Sequence, residues 1–434
     1  MDLILTLILF IITLSVFTYE ISRKNKRNVF PFMTLVAIYY LFFYGISSIW
    51  TSLYQLHPIY PLELGGVTTV YIVAFICSQL IGYFLFSNLL FRFIDRSLFR
   101  RLQSPLNIGL HNFQTKPMLV LSSIAILAHF TFFAVPLLKE VPSINQLQQP
   151  LWYFGFGVLI WLSLGKKRPL KEIFIAGFAF LLCLVNFVLT GLTTPIFISL
   201  FIFLSAAFYW KRYFSTVATF IFLSVLFSSY SHVKYVANTY IKGGETGIRD
   251  FKPNISSYSI FASVNAAARR SSHGLVLEKV IQKTPREIPY AKYSPFFDAA
   301  INHIPRIIWR TKPEEVRGNW FGKRFSFVHQ NDHRTSWNLP WTAEFYLIYG
   351  PIKAVTISFF IGGFISLFVI FLSLLRHRPI GFGIFSSSII PLFYQESNFS
   401  LMFGNIITIA LFLLISSYLF MLIYNFFLKS VEYR

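Results

Sequence analysis

Long apolar runs broken by short polar links dominate the chain. The runs cover residues 3–19, 29–50, 67–91, 119–138, 151–165, 173–190, 195–210, 215–229, 353–375, 380–395 and 404–427. Each approaches the roughly 20 residues a helix needs to cross a bilayer. They predict an all-α polytopic integral membrane protein with about 11 transmembrane helices. One interval departs from this rhythm, because residues 230–345 have no comparable run. The expected organisation is eight spans in residues 1–229, a large external helical loop in 230–345, and three spans with a cytoplasmic C-terminus in 346–434.

The links test that count, since cytoplasmic links are enriched in Lys and Arg. Residues 22–28 carry four, 92–118 five, 166–172 four, 211–212 two, 376–378 two and the C-terminal tail two. The intervening links at 51–66, 191–194 and 396–403 carry none, and 139–150 carries Lys139 alone. Alternation of this kind places the N-terminus and the 230–345 segment outside and the C-terminus inside. The first run is followed, not preceded, by its positive charges, the reverse of a cleavable signal peptide.

Composition agrees with the pattern. Hydrophobic residues make up 55% of the chain, 52 of its 434 residues being Phe. Charged residues are 13%, where a soluble domain has about 25%. Cys77 and Cys183 both fall inside apolar runs, so no disulfide framework is expected. The formal charge of +21 lies mostly on the cytoplasmic links, which is topology and implies no nucleic-acid partner. The outer segment adds something topology does not require, with 17 Lys or Arg against nine Asp or Glu. A cationic loop above an apolar bundle suits an anionic, lipid-linked phosphate or diphosphate.

Within that loop, residues 257–283 read as one or two amphipathic helices, with Ile260, Phe261, Val264, Leu275, Leu277, Val280 and Ile281 on the apolar side. A further helix is expected from Ser294, with Ser as N-cap and Pro295 in the first turn. Phe296, Phe297, Ala300, Ile301, Ile304 and Ile308 would line its buried side, and Pro305 would kink it. His303, Arg306 and Arg310 share the opposite stripe. Guanidinium groups on one stripe fit a clamp on phosphate oxygens, or a solvated face. Arg317, Lys323 and Arg324 lie in or beside GNWFGKRF, where Trp320 and Phe321 are candidates to stack on a sugar ring or to anchor the loop at the interface. Gln395, Glu396, Ser397 and Asn398 form a polar cluster between the last two runs, suited to sugar hydroxyls or to a solvated turn. Pro31, Pro136, Pro195 and Pro391 are expected to mark kinks or helix ends.

The run IPRIIWRTKPEEVRGNWFGKRF followed by NLPWTAEFYLIYG resembles the large external loop of bacterial O-antigen and exopolysaccharide polymerases, the Wzy-type family. Arg306, Trp309, Lys312, Pro313, Gly318, Glu344, Tyr346 and Gly350 carry the likeness. It implies a GT-C-like, metal-independent glycosyltransferase of the bacterial cytoplasmic (inner) membrane, active on the outer side and requiring no cofactor. The donor would be an oligosaccharide on a polyprenyl diphosphate, with flippase and chain-length regulator proteins as partners in the bilayer. On that basis Arg306, Arg310 and Arg317 are assigned to the diphosphate, with Arg324 in reserve. Arginines held in place stabilise the negative charge that develops on the leaving group. No D-x-D pair occurs in residues 230–345, so no metal site is expected. A sugar hydroxyl that attacks must lose a proton, and Glu344 is the first candidate to take it, with His303 and His333 as alternatives. Glu344 is equally suited to pairing with an arginine or with backbone donors. A ligase moving finished glycan to a lipid acceptor would share this equipment. A transporter fits less well, because the runs hold few ionisable residues, His129 being the clearest.

Overall fold

The computed structural model describes residues 1–27, 31–56, 63–93, 115–135, 142–165, 177–178, 181–182, 184–186, 194–210, 260–302, 304, 309, 317–332, 335–373 and 378–432. Among these residues the chain is helical, with no strand. In chain order the helices are α1 (Asp2–Arg27), α2 (Phe32–Leu53), α3 (Gly66–Phe93), α4 (Thr115–Ala134), α5 (Pro142–Leu164) and α6 (Thr194–Tyr209). Then come α7 (Ile260–Ser271), α8 (His273–Lys283), α9 (Pro295–Asn302), α10 (Gly318–Arg324), α11 (Trp341–Ser373), α12 (Pro379–Ser388), α13 (Phe399–Phe403) and α14 (Ile406–Glu432).

Five stretches among the described residues are long and apolar enough to cross a bilayer: Asp2–Ser22, Phe32–Leu53, Gly66–Leu90, Trp341–Leu372 and Phe399–Phe426. This is the architecture of a helical membrane protein. Lys116–Phe132, Thr194–Ala207 and Pro379–Phe393 are shorter apolar helices at three further expected spans. The expected run at 151–165 forms the second half of α5, whose first half is polar and whose Trp152, Phe154, Phe156 and Ile160 are buried in the bundle. The expected span at 215–229 lies outside the described residues, as does most of that at 173–190.

Two contacts show how the spans close on each other. A Cβ added at Gly82 of α3 would sit 1.9 Å from the carbonyl oxygen of Phe359 in α11, and one at Gly362 would sit 1.9 Å from that of Gln79. The backbones touch at both points, which only glycine permits, and such close approach is how helices associate in lipid. On α1 the residues Leu3, Ile4, Leu7, Phe10, Ile11 and Leu14 are exposed at helical spacing, the lipid-facing stripe of an outer span.

Helix ends bordering the links at 51–66, 191–194 and 396–403, which carry no Lys or Arg, lie together at one end of the bundle. There, Leu64 N–H donates to Asp2 Oδ1 at 2.9 Å, and Gly65 N–H to Glu278 Oε2 of α8 at 2.7 Å. Trp50 Nε1 donates to Asn265 of α7 at 2.8 Å, and Asn302 Nδ2 to the Ser400 carbonyl at 2.9 Å. Phe197, at the start of α6, stacks on Tyr394. At the opposite end Trp161 packs against Trp210 and Phe382, and Glu20 accepts the N–H groups of Met33 and Thr34. Those positions flank the basic links at 22–28, 166–172, 211–212 and 376–378.

The described part of residues 230–345 packs onto that first end. Residues 257–283 give two helices, α7 and α8, broken at Ser272, with Leu275, Leu277 and Val280 buried as expected. Ser294 Oγ accepts the Phe297 N–H at 3.3 Å, the expected cap of α9. The apolar side of α9 differs from expectation. Phe297 is 61% exposed and Phe296 and Ile304 are exposed too, while Ala299, Ile301 and Asn302 face inward. Exposed large apolar side chains are common on folded proteins, so hydropathy alone does not select the inward face. Helix α9 is described as far as Asn302, and the expected kink at Pro305 lies outside the described residues, as does Ile308.

Candidate functional site

The site is built where α9, α10, α11 and α13 meet. Helix α11 starts at Trp341 and is interrupted at Gly350 (φ 72°, ψ 177°), a conformation essentially restricted to glycine and followed by Pro351. The break separates a short helical piece carrying Glu344 from the span that follows. The Ala291 N–H bonds the Leu347 carbonyl at 2.9 Å, which docks the segment leading to α9 along that piece.

Glu344 is fully buried, and both of its oxygens are engaged. Oε2 accepts the Phe399 N–H at 2.6 Å, at the start of α13, and Oε1 accepts the Tyr293 hydroxyl at 3.1 Å. Burial of the Tyr293 hydroxyl, and next the charge of Glu344, hold that phenol well above its usual pKa. The guanidinium of Arg317 lies over the Tyr293 ring, 3.7 Å from its centre, and donates to Asp298 in the first turn of α9. Trp320 meets the same tyrosine edge-on at 6.1 Å, and Arg324 sits 5.1 Å from the Trp320 ring while donating to the Pro289 carbonyl at 3.0 Å. The order is therefore carboxylate, a phenol with Arg317 over its face, then an indole with Arg324 over it.

Of the residues singled out by sequence, Glu344, Arg317, Arg324 and Trp320 are brought together. Trp320 is 37% exposed, with Arg324 over its ring and Tyr293 edge-on to it. Phe321 is a correction: it is fully buried against Phe325 and Phe327, and no ring face is left for a sugar. Phe321 points about 100° around α10 from Trp320, which directs it into the contact with Phe325 and Phe327. Arg306, Arg310, His303 and His333 lie outside the described residues. Among the described residues no three His, Cys, Asp or Glu side chains gather into a set able to hold a metal ion.

A second polar cluster lies on the other side of the first turn of α11, and sequence reasoning missed most of it. Helix α2 widens into a π-helix at Leu41–Ile46, the kind of irregularity frequent at functional sites. Tyr39 bonds His273 Nδ1 at 2.9 Å, Tyr40 donates to Gln395 Oε1 at 3.0 Å, and Tyr44 bonds Thr342 Oγ1 at 2.7 Å. Tyr71 of α3 donates to the Thr342 carbonyl at 2.9 Å. Gln395 and Glu396 are 0% and 2% exposed. The turn expected to be either solvated or sugar-binding is therefore not solvated. The tyrosines at 39, 40 and 44 were the available signal, since three phenols within one apolar run require polar partners when buried. His129 is buried, bonded to the Gln148 carbonyl and to Asn186.

Comparison with protein-family models, curated proteins and solved structures gives no match to the chain.

Proposed function

We propose that the protein polymerises lipid-linked oligosaccharide repeat units into a cell-surface polysaccharide, by metal-independent glycosyl transfer from a polyprenyl diphosphate carrier. The observation that carries this is the gathering of Arg317, Arg324, Trp320 and Glu344 around the first turn of α11. Cationic forks, a part-exposed indole and an enclosed carboxylate are the groups that a glycosyl diphosphate and a sugar hydroxyl require. In this scheme the arginines, together with Arg306 and Arg310, take the diphosphate. The acceptor oxygen bonds the anomeric carbon, the carbon–oxygen bond to diphosphate breaks with its electron pair leaving on phosphate, and a carboxylate removes the hydroxyl proton. The full arrangement has eleven spans in a GT-C-like bundle within the bacterial inner membrane, its active face outside.

The test is glycan analysis of a strain lacking the chain, complemented with wild type, Arg306→Ala or Arg324→Ala at matched membrane abundance. Single repeat units in place of polymer, with wild-type complementation restoring length and the arginine variants failing to, are the expected result. Unchanged polymer in the deletion strain would overturn the assignment. Polymer of normal length that is missing from its final lipid would make the protein a ligase.

A further inference from the structure

Helix α9 carries its polarity inside out. The residues it exposes are Phe296, Phe297 and Ala300, which share one face of the helix. Its polar side chains turn toward the protein instead: Asp298 pairs with Arg317, and Asn302 Nδ2 donates to the Ser400 carbonyl at 2.9 Å. A helix bordered by water shows the opposite arrangement. In hydrocarbon, polar side chains face the neighbouring helices and apolar ones face out.

The contacts of α9 put it level with the interior of the spans. At its first turn, the Phe296 ring lies 5.9 Å from Phe345, which packs 6.3 Å from Phe75 of α3. At a rise of about 1.5 Å per residue, Phe75 is about 14 Å along α3 from Gly66. The candidate span Gly66–Leu90 has 25 residues. Its length of about 37 Å exceeds a hydrocarbon core of about 30 Å by an even overhang of only about 4 Å at each end. Phe75 therefore lies well inside the core.

The last turn of α9 gives the same answer. A Cβ added at Gly404 would sit 2.5 Å from Cβ of Asn302, and the neighbouring Phe403 ring lies 5.5 Å from Phe364. Phe364 is an exposed position of the α11 span, about 20 Å beyond the break at Gly350. Rings at 296, 399, 403 and 364 thus run without interruption from α9 to the lipid-facing side of α11.

We propose that α9 is immersed in the bilayer, with acyl chains of the surrounding phospholipid covering the face formed by Phe296, Phe297 and Ala300. This goes beyond the polymerase assignment and does not depend on it. It takes α9 out of the water-facing part of residues 230–345. Because Asp298 on the inward side holds Arg317, lipid on one face of α9 supports the helix that positions an arginine of the candidate site.

The test uses full-length protein carrying Cys77→Ala and Cys183→Ala in phosphatidylethanolamine–phosphatidylglycerol nanodiscs, with a nitroxide attached at Phe297→Cys or Ala300→Cys. Phe371→Cys, exposed on the α11 span, is the lipid control, and Glu287→Cys, exposed after α8, is the water control. Relaxation of the label by oxygen should exceed that by a water-soluble nickel chelate at 297 and 300, as at 371, and the order should reverse at 287. Stronger relaxation by the nickel chelate at 297 and 300 would place the face in water. Protection from both reagents would mean that protein covers it, a second copy of the chain included. Either result overturns the proposal. Should the cysteine-free chain fail to fold, p-benzoylphenylalanine at position 297 of the otherwise unaltered protein decides the matter. A photo-crosslink to phospholipid is expected, and crosslinks to protein alone, or none, overturn the proposal.

Discussion

The Tyr293 hydroxyl donates to Glu344 Oε1 at 3.1 Å, joining the lead-in to α9 to the first turn of α11 across 51 residues of sequence. Because Glu344 Oε2 holds the Phe399 N–H at 2.6 Å, this one carboxylate ties three segments together. Tyr293→Phe removes one bond and is expected to destabilise the protein by about 1–3 kcal/mol. Glu344→Ala strands two donors in a closed site and is expected to cost about 3–5 kcal/mol. Glu344→Gln keeps an acceptor and should fall between them. A double-mutant cycle in detergent-based unfolding should give a Tyr293–Glu344 coupling of about 1–2 kcal/mol. A coupling near zero would mean that the two groups act independently.

The break at Gly350 sets the angle at which the Glu344 segment leaves the span. Its φ of 72° is strained for any other residue, and an added Cβ would lie 3.1 Å from the Tyr290 hydroxyl. Gly350→Ala is therefore expected to destabilise by about 1–3 kcal/mol and to lower polymer yield with it. Melting temperature and glycan length should move together. An alanine variant with unchanged melting would show that the segment tolerates a straight helix.

Much of the span pattern was legible because hydropathy is a local property, and which link carries charge is local too. The site was less legible for physical reasons. Arg317 finds Asp298 and Tyr293 only after α9 and α10 dock, and nothing in the spacing of these residues announces it. Gln395 and Glu396 sit in a run with Ser397 and Asn398 that resembles a solvated turn, and their burial depends on α2, which is more than 300 residues away in sequence. Phe321 misled because Trp320 and Phe321 are chemically alike, and only the seven-residue helix α10 decides which one faces inward.

The paired glycines of α3 and α11 give a sharper test of the fold. Gly82→Ala and Gly362→Ala each drive a methyl group into a backbone carbonyl 1.9 Å away, so each should force the helices apart and cost more than about 3 kcal/mol. At Gly177 a Cβ meets nothing within 4 Å, and alanine there should change stability by no more than about 0.5 kcal/mol. Membrane-extracted yield and unfolding midpoint distinguish the cases. Similar effects at all three positions would contradict the close packing of α3 on α11.

Lys279 of α8 offers a pH test away from the spans. Its ammonium lies 4.6 Å from the centre of the Phe327 ring, and burial, then the charge of Lys283, lower its pKa below that of an ordinary lysine. The sign of the linkage follows directly. Between the lowered folded value and the ordinary unfolded value, the unfolded chain binds the extra proton, so stability rises with pH across that window. Lys279→Met should flatten that rise. Amine-reactive labelling followed by peptide mapping provides a second measure, since only the neutral amine reacts. The midpoint for Lys279 should fall below the ordinary lysine value in the folded protein and return to it after unfolding. An unshifted midpoint in the folded state would mean that the ammonium is fully hydrated, and that α8 does not pack against Phe327 as described.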